Sequence, residues 1–283
     1  MEMLGWISLG WLGECGLALA VNERKNTMRF GVCAPLEKVD RLAAVGYDYV
    51  EFNVQSVLMP EKSDAEFRNI RERVARAPLK PEVFSVFIPA ELRVVGDSVQ
   101  RQRLSDYVRI ACRRARELGG EVIVYGSSGS RNVEEGYSRE KALDQIAEFL
   151  YMAADHAEAS GITIILEPIC YREGNILRTV AEGLEMVKRV DRKGIRLLAD
   201  LYHVWQEKEP MKNILDAAKW LGHVHVAEPV KRSYPGNDDF DFSDFFTALS
   251  QARYNGRMSV ECSFNDFDRD IEIALRTIKA YPN

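Results

Sequence analysis

Eight short runs rich in β-branched and aromatic residues alternate with longer helix-patterned segments from Met28 to the end of the chain. The runs are MRFGVCA, YDYVEFN, PEVFSVF, EVIVYG, ITIILE, IRLLAD, HVHVA and MSVEC, and a helical segment follows each. Strands joined through helices pair in parallel, because the crossover returns the chain to the same end of the sheet. Eight such units match an α/β chain closed as a (β/α)8 TIM barrel, whose usual size is roughly 250 residues. The 283 residues then divide into an apolar extension outside the barrel, residues 1–27, and one catalytic barrel domain, residues 28–283. No linker or low-complexity tract interrupts the second part. The extension carries LGWISLGWLGECGLALAV. It lacks the basic start of a signal peptide, Glu14 interrupts it, and it is shorter than the roughly 20 apolar residues of a spanning helix, so no membrane partner is expected.

The helical segments carry the matching periodicity. Leu143, Ile146, Leu150, Ala153 and Ala157 recur at steps of three and four and form one stripe that should face the sheet. Glycines before the next strand, Gly119 and Gly120, Gly161 and Gly256, are expected to take the left-handed conformation past a helix end.

Net charge is −5, with acidic and basic residues interspersed. That pattern gives no footprint for nucleic acid or an anionic membrane and leaves a small molecule as the expected partner. Cys15, Cys33, Cys112, Cys170 and Cys262 are odd in number and show no C-x-x-C spacing. They read as reduced thiols of a cytoplasmic protein.

Four polar residues each end a strand run: Glu167 in ITIILEP, Asp200 in IRLLAD, His225 in GHVHVAEP and Glu261 in RMSVEC. Alternate side chains of a barrel strand point inward. With these four inward, Thr163, Ile165, Arg196, Leu198, His223 and Ser259 are inward too, so each of the four is the last inward residue of its strand. That is the end at which barrel enzymes build their sites. A single glutamate at such a place is usually a cap or a surface charge, but four on successive strands point to a metal site. Three carboxylates and one imidazole suit one octahedral divalent ion, Mn²⁺ first, with Mg²⁺ or Co²⁺ as alternatives, better than structural zinc.

The runs E-P-I-C-Y-R-E (Glu167 to Glu173), D-L-Y-H (Asp200 to His203), H-V-H-V-A-E-P (His223 to Pro229), Y-P-G (Tyr234 to Gly236) and S-V-E (Ser259 to Glu261) resemble the xylose isomerase-like barrels of sugar isomerases and epimerases. Within them the chain is most similar to the ketose 3-epimerases, the tagatose and psicose group. The resemblance implies a metal on Glu167, Asp200, His225 and Glu261, with Glu167 and Glu261 also forming the acid/base pair. It places substrate contacts at Glu173 and His203, and at an arginine that counting puts at Lys231 or Arg232; Arg232 is favoured because its planar fork grips two oxygens. Arg131, in the loop GSSGSRNVEEGY, matches a G-S-x-G-x-R loop of many superfamily members and is a fourth substrate-contact candidate. A homo-oligomer, dimer or tetramer, is also expected.

Proton movement next to a carbonyl needs a base, a proton donor and charge stabilisation of the enediolate. An isomerase or epimerase of a ketose fits first. A lyase that expels a substituent from a 3-keto glycoside shares the first step. An abasic-site endonuclease would need more histidines than His156, His203, His223 and His225 and a basic surface. In a non-catalytic sugar-binding barrel, the acid/base glutamates would have no task.

Overall fold

A computed structural model describes residues 28–282, so the 1–27 extension lies outside the described residues. The strands are β1 (Arg29–Cys33), β2 (Tyr49–Asn53), β3 (Pro81–Ser85), β4 (Val122–Tyr125), β5 (Thr163–Leu166), β6 (Ile195–Asp200), β7 (Leu221–Val226) and β8 (Arg257–Val260). They pair in parallel in sequence order, and β1 pairs with β8 to close the barrel. Pro81 opens β3, a position where its missing N–H costs little.

Around the barrel run α1 (Val39–Val45), α2 (Asp64–Arg76), α3 (Arg101–Glu117), the single turn α4 (Ser128–Arg131), α5 (Arg139–Ser160), α6 (Val180–Val190), α7 (Leu201–Gln206), α8 (Lys212–Asp216), α9 (Ser243–Gln251) and α10 (Phe267–Lys279). The stripe on α5 faces the sheet: Ile146, Leu150, Ala153 and Ala157 are buried and Leu143 packs at its edge. Each buried Leu or Ile contributes roughly 1.5–3 kcal/mol of transfer free energy. Gly119 and Gly161 are left-handed past their helices, but Gly120 and Gly256 are not. After α9 the left-handed residue is Arg253, and Gly256 instead lies where a Cβ would meet the Tyr254 hydroxyl at 2.6 Å.

Tyr49, Val83, Val122, Val124, Ile165 and Leu198 form an interior cluster separate from the core between strands and helices. Ile165 and Leu198 stand two residues before Glu167 and Asp200, as strand alternation requires. The Tyr49 hydroxyl and Ser259 Oγ lie 2.9 Å apart, and Ser259 Oγ is 3.3 Å from Nε2 of His223, which places His223 and Ser259 in the polar top of this layer.

Candidate active site

One ligand atom from each of Glu167, Asp200, His225 and Glu261 lies within 4.8 Å of the other three. His225 sits at the centre. Its Nδ1 is 3.2 Å from Glu167 Oε1 and 3.2 Å from Glu261 Oε2, so one ring nitrogen faces both glutamates. Its Nε2 faces the opposite way, 3.1 Å from Oε1 of Glu51 on β2. Asp200 caps α7 through Oδ1, which accepts the Tyr202 N–H at 2.7 Å. Its Oδ2 is buried and accepts no hydrogen bond, with His203 Nε2 at 3.6 Å and the Arg232 guanidinium at 3.7 Å as its nearest polar neighbours. A buried carboxylate oxygen without a hydrogen bond carries a desolvation cost that so distant a cation offsets only in part, and a ligand can complete it.

The charges explain the ionisation pattern. Burial pushes Asp200 up to about 6 and raises Glu167 as well. Burial also works against Glu261, but the His225 and Arg232 cations outweigh it and bring that carboxyl down to about 2. For His225, the Glu51, Glu261 and Glu167 carboxylates overcome burial and hold the imidazole well above its ordinary range. His223 and His203 shift the other way, because burial dominates each.

Above this floor opens a cavity of about 650 Å³, lined by Glu167, Glu173, His203, Arg232 and Glu261 among others. Arg232 spans it: Nη1 donates to both Glu173 oxygens at 2.9 Å, Nη2 donates to Glu261 at 2.7 Å, and the guanidinium lies 4.7 Å over the Tyr202 ring. Lys231 points elsewhere, into a pair with Asp238 on the exposed side. Glu228, fully buried, accepts the N–H groups of Gly236 and Asp238 and so shapes the loop that aims Arg232. His203 Nδ1 accepts the Cys170 N–H at 3.3 Å, which leaves the proton of the neutral ring on Nε2. That nitrogen is buried and unpaired.

Arg131 is not where the loop composition suggested. The α4 turn tucks its side chain under the rim, fully buried, and the guanidinium donates to the Tyr125 and Glu167 carbonyls at 2.9 and 2.5 Å. It braces the ends of β4 and β5, and it does not line the cavity. Gly126, in the same loop, matters more directly. A Cβ there would stand 1.8 Å from Glu167 Oε2, so the carboxylate can reach the site only past a glycine. The residue that sequence reading missed is Glu51: fully buried, with Oε2 3.0 Å from His223 Nε2. Its trace in the sequence is a lone charge inside the apolar run YVEFN, two residues beyond the inward Tyr49. His156 is remote, paired with Ser105 Oγ on α3 at 2.9 Å. Among the described residues no helix is long and apolar enough to cross a membrane.

Comparison with known proteins bears on the fold and the family. An L-ribulose 3-epimerase of Methylomonas sp. is 38% identical over 125 residues, a stretch that spans 44% of this chain and 43% of that protein's length. An L-ribulose 3-epimerase of Mesorhizobium japonicum is 26% identical over 234 residues, covering 82% of this chain and 76% of the relative. The crystal structure of a D-allulose 3-epimerase from Methylomonas sp. in complex with D-allulose superposes with a TM-score of 0.78 at 25% identity, covering 90% of this chain and 97% of that one. The family model described as xylose isomerase-like TIM barrel matches residues 39–281. The chain therefore belongs to the xylose isomerase-like TIM barrel family.

Proposed function

We propose that the protein is a sugar epimerase or isomerase that moves a proton on a carbon next to a ketose carbonyl, with Glu167 and Glu261 as the proton-handling pair. The observation that carries this reading is their placement: the carboxyl groups that follow β5 and β8 converge on one side of His225 at the floor of a cavity, and Arg232 pairs with that of Glu261. One carboxylate takes the proton from carbon and the electron pair moves onto the carbonyl oxygen, giving an enediolate. The other carboxyl returns a proton to the opposite face, so the carbon inverts, or to the neighbouring carbon while the hydroxyl proton passes to the former carbonyl oxygen, so the carbonyl migrates. The relatives named as 3-epimerases support the first outcome.

The same residues fit a divalent cation. The unpaired Asp200 Oδ2, the oxygen-rich donor set and the spacing of its atoms are what such an ion requires, and Glu167, Asp200, His225 and Glu261 would hold it. When bound, Mn²⁺ or a similar ion supplies Lewis-acid stabilisation of charge developing on substrate oxygen. The chain's own residues do the rest. His203 offers Nε2–H to a substrate oxygen, and Arg232 offers a planar fork already held in place by Glu173 and Glu261.

The test is a panel of ketoses and 3-keto glycosides incubated with protein and Mn²⁺ in D₂O, followed by NMR. Deuterium at the carbon next to the carbonyl together with a new epimer or positional isomer supports the reading. Deuterium in no substrate removes it, and release of a substituent without an epimer converts it to a β-eliminating lyase.

A further inference from the structure

Alternation on β1 puts Phe30 and Val32 in the core between strands and helices and turns Gly31 and Cys33 to the barrel interior. Cys33 is therefore the last inward residue of β1, and the β1–β2 register sets it beside Glu51. Its Sγ, a carboxylate oxygen of Glu51 and a ring nitrogen of His225 lie within 4.8 Å of one another. We propose that these three side chains form a second cation site for a thiophilic divalent ion such as Zn²⁺, joined to the first site by the two ring nitrogens of His225. The join rests on the reading of Glu167, Asp200, His225 and Glu261 as ligands of the first ion, whereas the thiolate site is argued from its own residues.

The spacing suits an ion. Zinc bonds to oxygen and nitrogen of about 2.0 Å at a tetrahedral angle set the two donors about 3.3 Å apart. The Glu51 oxygens lie 3.1 and 3.3 Å from Nε2 of His225, the nitrogen turned away from Glu167 and Glu261. The donors also differ from those of the first site. Three carboxylates and an imidazole suit a hard octahedral ion, but a thiolate, one carboxylate and one imidazole suit zinc, so the two sites select different metals.

Cys33 has no packing task among the described residues. Cys112 is buried in the core and Cys262 packs against it, whereas Cys33 joins neither apolar cluster. It is half-buried and lines, with Glu51, a cavity of about 520 Å³ over the ends of β1 and β2. That cavity gives an ion its way in and leaves a fourth position to water, as a three-ligand zinc site requires.

Support from below is in place too. Oε2 of Glu51 is 3.0 Å from Nε2 of His223, which is 3.3 Å from Ser259 Oγ, so the ligating carboxylate is itself oriented by buried polar groups. Binding balances by proton release: the Cys33 thiol and Nε2 of a ring whose Nδ1 serves the first ion each give one proton to water.

The experiment titrates the full chain, stripped of metal, with Co²⁺. A cobalt ion bound to a thiolate gives a sulfur-to-metal charge-transfer band in the near ultraviolet, and carboxylate and imidazole ligands alone do not. Wild type should bind about two Co²⁺ per chain, show the band, lose it to competing Zn²⁺, and give the magnetic signature of two coupled ions. Cys33→Ser should lose the band and one ion, with Cys33→Ala in its place if the serine variant melts early, while Cys262→Ser keeps both. Asp200→Asn should lose one ion and keep the band. No band in wild type, or a band that survives Cys33→Ser, overturns the thiolate site, and two bound ions without magnetic coupling overturn the shared imidazole. A single ion that gives the band in wild type removes the first-site reading and the join with it, and leaves the thiolate site standing.

Discussion

Glu51 lies beneath His225 with Oε1 3.1 Å from Nε2, and its Oε2 reaches His223 Nε2 at 3.0 Å, so one buried carboxylate organises both imidazoles of β7. The consequence is directional. With Nε2 committed downward, Nδ1 is the nitrogen turned toward Glu167 and Glu261.

A carboxylate behind a ligating histidine fixes the ring and raises its basicity, and its loss typically costs 10- to 100-fold in metal affinity. Glu51→Gln should therefore weaken Mn²⁺ binding by about that factor in calorimetry. Burial opposes the Glu51 charge, but its two histidine partners hold the carboxyl well below the usual range. Glu51→Ala should also destabilise the metal-free protein by roughly 1–3 kcal/mol in urea unfolding, because it leaves the buried Nε2 of His225 without its hydrogen-bond partner while Glu167 and Glu261 still face Nδ1. Wild-type affinity in Glu51→Gln would remove the orienting role.

Against burial, the Glu51, Glu261 and Glu167 carboxylates raise the His225 imidazole above its ordinary range, which predicts a protonated ring at pH 7 in the metal-free protein. A metal needs the lone pair, and binding must displace that proton. Calorimetry in two buffers of different ionisation enthalpy should show about one proton released per ion at pH 7. The sign follows: apparent affinity rises with pH until the folded-state imidazole is itself deprotonated. No buffer dependence would mean that His225 is neutral or not a ligand.

The buried guanidinium of Arg131 bonds strand-end carbonyls, so its removal should act on stability. Arg131→Met leaves the Glu167 carbonyl unpaired, at about 1–3 kcal/mol, while the Tyr125 carbonyl keeps the Glu167 N–H at 3.2 Å. The melting temperature should fall by several degrees, while KM of the folded fraction changes little. A large KM rise without a stability loss would return Arg131 to the substrate.

Gly126→Ala tests the opposite case. The added methyl would stand 1.8 Å from Glu167 Oε2 and must push that carboxylate aside. A displacement of about 1 Å at a reacting group costs on the order of 100-fold in rate. The expected result is that loss in kcat with near-native melting; unchanged kcat would show that Glu167 does not need its observed position.

Much of this arrangement is legible in the sequence because it is periodic. Two-residue alternation carries Ile165 to Glu167 and Leu198 to Asp200, and eight β/α units leave one closed topology. The unread parts depend on tertiary approach. Glu51 meets His223 and His225 across 172 and 174 residues of chain, a contact that local pattern does not encode. The place of Arg131 is hidden for a related reason: glycine and serine composition marks a loop, but only the α4 turn decides that its arginine folds under the rim. Gly256 has the sequence look of a helix stop, whereas close packing against Tyr254 is what asks for a glycine there.

The most direct test is deuterium exchange by wild type, Glu167→Gln and Glu261→Gln in D₂O with saturating Mn²⁺ and the best substrate of the panel. General acid–base groups contribute about 10²–10⁴-fold each. Each variant should lose at least 100-fold in exchange rate, on the scale of that contribution, while melting as a folded barrel. Full exchange by either variant would contradict the two-glutamate mechanism.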